Sequence, residues 1–470
     1  MQRVSREEHY KMMTETPVRR LVIKLAIPTI ISMLVSSIYN MADTFFVSQL
    51  GTSAAGAVGI VFSLMAIIQA IGFTIGMGAG NIASRKLGAK DDEEANRYAS
   101  SGFFLGLVLS LLLLVFGTIF IDDLMRFLGA TETILPYARD YARYILFGAP
   151  VMCLSFIMNN YLRAEGKAVY GMIGITTGGI LNIILDPIFI FTFGLGTAGA
   201  AIATALSQLI SFIILLVMFL KGKSNLKLSL KYVSPRFVYY RNMVFTGLPT
   251  LARQGLASIA TIALNVMAAS YGDAAVAAMS IANRITFFLF SFMLGLGQGF
   301  QPVAAFNYGA KLYDRVHDAT KFTSVISTFL MVAIAVICFV FARPLIMLFR
   351  RDDLEVIAIG AVTLRAQCIA LTLTGITTVT NMALQSTGQA GRATLLAMCR
   401  QGFFFIPIVL ILPHFIGLTG VEIAQSLADI LTFLVSLYFF VTYLKELKAK
   451  RNAQVAEERT GRRGPFKVGI

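Results

Sequence analysis

No charged side chain occurs from Phe103 to Ile121, from Ala198 to Leu220 or from Phe322 to Phe341. Each run is long enough to cross a bilayer as a helix. In hydrocarbon every backbone N–H and C=O must be satisfied within the protein, so only helices and closed barrels span, and apolar runs of this length select helices. Composition agrees: 14% of residues are charged, against about a quarter in soluble domains. The sequence therefore predicts an all-α integral membrane protein.

Twelve helices are expected, over approximately 20–42, 53–80, 98–121, 134–161, 168–191, 197–220, 242–269, 275–305, 320–341, 356–384, 393–413 and 418–444. They fall into two six-helix lobes, 20–220 and 242–444, joined by a basic linker, 221–241. An N-terminal segment, 1–19, and a tail, 445–470, flank them. The tail is charged and contains Gly461, Gly464 and Pro465, so disorder is expected there.

The net charge of +15 does not gather on one face, which argues against nucleic acid. Basic residues cluster at 3–24, 85–97, 221–241, 311–321 and 445–467, with smaller additions from Arg163, Lys167 and Arg392. These are alternate connections, which places both termini in the cytoplasm by the positive-inside rule. Arg126, Arg139 and Arg143, and then Arg343, Arg350 and Arg351, depart from the pattern, each group beside acidic residues. No cleavable signal is apparent. The four cysteines lack metal or redox spacing. No phosphate-binding loop suggests ATP hydrolysis, and no cofactor is expected beyond a coupling ion. His9, His317 and His414 are far apart, leaving a membrane-embedded enzyme without a reactive constellation.

The two lobes repeat at a spacing of 221 residues. Pro28-Thr29 recurs as Pro249-Thr250, Gly51 as Gly272, Gly76 as Gly297, and Gly88-Ala89-Lys90 as Gly309-Ala310-Lys311. Gly196 and Gly199 recur as Gly417 and Gly420. Six helices per unit give both lobes the same orientation, hence a pseudo-two-fold axis along the membrane normal and a cavity between the lobes. Glycines such as Gly72, Gly76, Gly78 and Gly80 are expected to let helices approach closely.

The repeat fails at certain polar residues. Asp43, Asn182 and Asp186 correspond to Leu264, Phe403 and Pro407, and Thr204 corresponds to Gln425. Asn182 and Asp186 lie one turn apart on one helix face. A carboxylate within a bilayer is costly until it takes up a proton or a cation, so this half looks like the one that handles ions. Taken singly, Asp43 also reads as a helix end and Asp186-Pro187 as a kink.

These residues carry a resemblance. The chain resembles the multidrug and toxic compound extrusion (MATE) transporters, in their prokaryotic branch related to DNA-damage-inducible protein F. The resemblance runs from about Pro17 to Lys445. It rests on Pro28, Tyr39-Asn40-Met41-Ala42-Asp43, Gly88-Ala89-Lys90, Asn182-Ile183-Ile184-Leu185-Asp186-Pro187, and Gly199-Ala200-Ala201 leading to Thr204. It implies two lobes opening alternately to each side of a central cavity. It implies a cation site at Asp43, Asn182, Asp186 and Thr204, taking H+ or Na+. Tyr39 and Asn159 match cavity-lining positions, and Pro28 matches a bend that serves as a hinge or as a static kink. Other branches carry acidic groups in the second lobe. Here that lobe offers Arg253, Arg284, Arg365, Arg400, Glu422 and Asp429, which read as internal ion pairs or as a second charged site.

The function expected is antiport of small lipophilic organic cations across a prokaryotic inner membrane, by a monomer in contact with membrane lipids. An apolar, aromatic- and Met-rich cavity with carboxylates suits such cations. The alternative is a flippase for a lipid-linked precursor, whose cavity would be strongly basic.

Overall fold

The computed structural model describes residues 6–351 and 353–460; residues 1–5, Asp352 and 461–470, the last part of the expected tail, lie outside it. The described elements are helical. A short α1 (Arg6–Glu15) precedes α2 (Val18–Ser48), α3 (Thr52–Gly88), α4 (Asp92–Ile119), the short α5 (Ile121–Phe127), α6 (Leu135–Ala164), α7 (Ala168–Pro187, prolonged by a π turn at Ile188–Thr192) and α8 (Gly196–Leu220). The second lobe contains α9 (Phe237–Ala269), α10 (Asp273–Gly309), α11 (Tyr313–Val340), the short α12 (Ala342–Met347), α13 (Leu354–Leu371), α14 (Thr374–Ser386) and α15 (Ala390–Met398). After a π stretch (Cys399–Phe405) come α16 (Ile406–Ile411), α17 (Pro413–Ile416) and α18 (Leu418–Thr460). Among the described residues, twelve spans are long and apolar enough to cross a membrane.

Two stretches differ from expectation. The span expected at 356–384 is divided into α13 and α14, which meet at Thr372-Leu373. Thr372 and Thr374 hydroxyls donate to the carbonyls of Ile369 and Leu371, both at 2.7 Å, competing with the helical ladder where it breaks. Helix α18 continues to Thr460, where disorder was expected from Lys445 onward. Residues 445–460 are charged but lack Gly and Pro and are rich in good helix formers. Buried Leu447, the Arg392–Glu446 pair (2.6 Å) and the Arg451–Asp314 pair (3.0 Å) dock this extension on the second lobe. Within the N-terminal segment, α1 occupies Arg6–Glu15.

The 221-residue repeat is visible in the backbone. Gly51 and Gly272 start α3 and α10 at φ +114° and +100°, and Lys90 and Lys311 both sit at φ 60°. A left-handed lysine is unusual, and its recurrence at equivalent turns marks one duplicated local structure.

One end of the bundle carries α1, the turns after Gly88 and Gly309, the linker and the C-terminal end of α18; we term it the linker end. There the lobes meet backbone to backbone. A Cβ on Gly88 would lie 2.0 Å from Phe306 O, and one on Gly309 would lie 1.9 Å from Arg85 O. These contacts are related by the repeat, since Arg85 corresponds to Phe306. Gly78 against Met243 O (2.1 Å) and Gly299 against Ala26 Cα (2.4 Å) form a second such pair deeper in the seam. The glycines are needed because no side chain fits between helices this close.

The linker is bonded to the first lobe. Fully buried Glu165 accepts from Asn225 N (2.6 Å) and from the Ser224 hydroxyl, Asn96 Oδ1 accepts from Lys227 N (2.8 Å), and Ser101 Oγ accepts from Ser234 N (2.9 Å).

Candidate functional site

Four helices of the first lobe bring polar side chains together in the half away from the linker end. Along α7, Asn182 Nδ2 donates to Asp186 Oδ1 at 3.0 Å, as a spacing of four residues allows. The same amide donates to Thr204 Oγ1 of α8 at 3.2 Å. From α6, the Tyr141 hydroxyl donates to Asp43 Oδ2 of α2 at 3.5 Å, and it also interacts with Asp186 and Thr204. Asp43, Tyr141, Asn182, Asp186 and Thr204 are all buried, Asp186 completely.

Asp43 Oδ1, Asn182 Oδ1 and Asp186 Oδ2 are buried without a hydrogen-bond partner. All three are acceptors. An unpaired buried acceptor costs about 1–3 kcal/mol, so the cluster as it stands is incomplete on the donor side. A proton, or a hard cation that takes oxygen ligands, supplies what these atoms lack. Among the described residues no His, Cys, Asp and Glu group has the makings of a metal centre.

The structure thus assembles Asp43, Asn182, Asp186 and Thr204 in one place. Tyr39 lies one turn before Asp43 and packs on Gly179 of α7, where a Cβ would come within 3.1 Å of its ring. Asn159 of α6 faces Gly171 of α7, nearer the linker end, where a Cβ would approach its amide nitrogen to 2.7 Å. Helix α2 runs through Pro28 without interruption. Proline deprives the carbonyl four residues earlier of its donor. Thr29 and Ser32 hydroxyls donate to Leu25 O (2.8 Å) and Pro28 O (2.9 Å) around it.

In the second lobe Asp429 accepts two bonds from Arg400, at 2.7 and 3.2 Å, and one from Gln425 at 2.9 Å. The Arg400 guanidinium also lies 4.6 Å over the Phe290 ring. Asp429 is therefore held in an internal ion pair. Arg253 interacts electrostatically with Arg400 and with Arg163 of the first lobe, and Arg284 is exposed. Among the described residues neither Arg253 nor Arg284 has a carboxylate at ion-pair distance.

Two residues escaped the sequence reading. Tyr141 falls within the span expected at 134–161, but its neighbours Arg139, Asp140 and Arg143 drew attention to the flanking charged connection instead. A signal was present, because its counterpart in the repeat is Val362, not a tyrosine. Arg163 was assigned to a basic connection. As part of the last turn of α6 it is buried, donating to Asn160 Oδ1 and, across the seam, to Gln298 Oε1.

With this geometry in place, comparison with known proteins is specific. The MatE family profile matches residues 28–188 and 249–411, one segment in each lobe. The multidrug export protein MepA of Staphylococcus haemolyticus (strain JCSC1435) is 28% identical over 439 residues, covering 93% of this chain and 96% of that protein. MepA of Staphylococcus aureus (strain MSSA476) is 29% identical over 435 residues, covering 92% and 96%. Among solved structures, a MATE crystallised in complex with MaL6 superposes with a TM-score of 0.89 at 28% identity, covering 94% of this chain and 99% of that one. A multidrug resistance MATE family transporter in an outward-facing conformation gives the same TM-score, identity and coverage.

Proposed function

The chain belongs to the MatE family, and from that premise we propose that it exports small lipophilic organic cations in exchange for H+ or Na+. It is a multi-pass membrane transporter rather than an enzyme. The observation that carries the coupling mechanism is the trio of unpartnered buried oxygens on Asp43, Asn182 and Asp186. A site short of donors binds a proton or a cation, and a lipophilic cation drawn to the same carboxylates competes with it. Binding of one then favours release of the other. Tyr141, bonded to Asp43, and Thr204, bonded to the Asn182 amide that also holds Asp186, keep the carboxyl groups in register while the occupant changes.

The basic clusters support a cytoplasmic linker end, with both termini on that side, in a prokaryotic cell. A seam closed at that end fits an outward-facing state, the one in which a drug leaves and an ion enters. Alternating access follows if the lobes part at the linker end and close at the other. Pro28 is a natural place for α2 to flex as the charge on Asp43 changes.

A flippase would draw its anionic head group to seam arginines without a carboxylate, such as Arg163 and Arg253. That reading leaves the first-lobe carboxylates without a task, so efflux stands first. The test is efflux of a fluorescent lipophilic cation from proteoliposomes under an imposed pH gradient and, separately, a Na+ gradient. Gradient-driven efflux lost in both Asp43→Asn and Asp186→Asn is expected, and the effective gradient names the ion. Efflux surviving both substitutions sinks the site.

A further inference from the structure

Helix α1 lies outside the apolar spans, yet Met13 is 0% and His9 4% exposed. Ten residues are too few for a helix to hold alone in water, so its surroundings fix it. Those surroundings belong to both lobes. On the first, the His9 ring nitrogen Nε2 is 2.6 Å from Glu165 O, Arg6 pairs with Asp92, and the Lys90 ammonium sits 4.5 Å over the Tyr10 ring. Met13 Sδ fills the space over Gly166, where a Cβ would lie 2.7 Å away. On the second lobe, the Tyr10 ring packs on Phe306 with centroids 5.6 Å apart. Met13 O accepts from Asn307 Nδ2 (3.1 Å) and Arg315 Nη2 (3.4 Å), and Thr16 O accepts from Arg315 Nη2 at 2.6 Å. Phe306 is also the residue whose carbonyl meets Gly88, so α1 is seated over the closed seam.

Met13 shows the conflict that opening creates. Its side chain is held by the first lobe and its carbonyl by the second. Parting the seam carries Glu165 and Gly166 away from Asn307 and Arg315, and one set of bonds must break. We propose that α1 is a latch that holds the lobes together at the linker end and must leave one lobe before that end opens. The proposal rests on the alternating-access reading above.

The experiment uses the full chain in nanodiscs with spin labels on Glu93→Cys and Asp318→Cys, exposed positions at the linker end of the first and second lobes. All four native cysteines are buried, which keeps background labelling low. In the parent protein the short interlobe distance dominates. Combining Met13→Ala with Arg315→Gln is expected to raise the long-distance population about tenfold. Arg451→Gln, which removes an ion pair at the same end but within the second lobe, leaves it unchanged. Melting temperatures are read in parallel; if the double variant unfolds, Arg315→Gln alone carries the test. Gly88→Ala serves as an independent opener of the seam. If it yields the long distance and the latch variants do not, the latch is refuted while alternating access stands. If no variant yields it, the lobes do not part at this end, and both readings fall.

Discussion

Replacing Gly309 with alanine places a methyl carbon 1.9 Å from Arg85 O, and replacing Gly88 places one 2.0 Å from Phe306 O. Neither obstacle can rotate away, because both are main-chain atoms inside α3 and α10. Ordinary contact begins at 3.4 Å, so each methyl demands a separation of about 1.5 Å. Overpacking of this kind costs about 1–3 kcal/mol. The cost falls only on the state closed at the linker end. The closed-to-open ratio should therefore drop by a factor of roughly 5–150 in either variant. Equivalence under the repeat makes the two substitutions alike in size. Combined, they should give less than the sum, because one displacement relieves both clashes. Interlobe spin-label distances between positions 93 and 318 read the ratio directly. Gly59→Ala on α3, where a Cβ meets nothing within 4 Å, is the matched control. Folded Gly88→Ala and Gly309→Ala proteins with the distance distribution of Gly59→Ala would refute the seam as the closing contact. Strict additivity would refute a single shared displacement.

Three further outcomes are expected. Tyr141→Phe removes the hydroxyl that donates to Asp43 Oδ2 and should slow gradient-driven efflux about tenfold while lowering stability by only about 1–3 kcal/mol, so that the protein stays folded; undiminished efflux excludes Tyr141 from the site. Asp429→Asn strips Arg400 of its carboxylate and should destabilise the protein by about 3–5 kcal/mol, with Arg400→Met plus Asp429→Leu recovering most of the loss in thermal melts. A single variant as stable as the double would show that the pair is dispensable. His9 has a pKa lowered from 6.5, chiefly because burial penalises the charged ring; Lys167 adds to this, while Glu165 opposes it through its charge and the bond to its carbonyl. Docked α1 thus prefers neutral His9, so its contribution is complete above about pH 6.5 and is lost as pH falls below that value. Linker-end opening should rise on acidification to about pH 5.5, and more steeply than in His9→Gln. Identical pH profiles would remove His9 from the latch.

Much of this architecture was legible in the sequence because hydrocarbon imposes strict rules. Uncharged runs marked the spans, and the 221-residue echo located two lobes before any contact was known. The echo also isolated Asp43, Asn182 and Asp186, since a polar residue without a counterpart is conspicuous against a duplicated background. Tyr141 was missed because its neighbours Arg139, Asp140 and Arg143 are charged, and charge density disguised a residue turned inward. Arg163 was missed for a related reason: a basic residue at a helix end ordinarily points to solvent, and only packing shows it turned into the seam. The helical course of residues 445–460 was obscured by the same weight on charge. Helix propensity and the docking of Leu447 govern that stretch instead. The role of α1 has no periodic signature, because it depends on where two distant turns come to rest.

The linker looked like a tether of about twenty residues, which would let two bodies drift apart and turn freely. Bonded to Glu165, Asn96, Ser100 and Ser101, it travels with the first lobe as far as Ser234. Tyr240 of α9 donates to Ser234 O at 2.7 Å, so the second lobe is gripped almost at once. Between them only the Pro235-Arg236 turn is left, itself closed by Arg236 N donating to Ser234 Oγ (3.3 Å), and proline fixes one of its torsions; Tyr239, one turn into α9, still donates to Glu94 Oε1 of the first lobe at 2.7 Å. So short and stiff a pivot permits a swing but not a slide. If the lobes alternate as proposed, the two end states differ by an angle about a nearly fixed point, and a wedge anywhere along the arc, near the joint or far from it, stops the whole stroke.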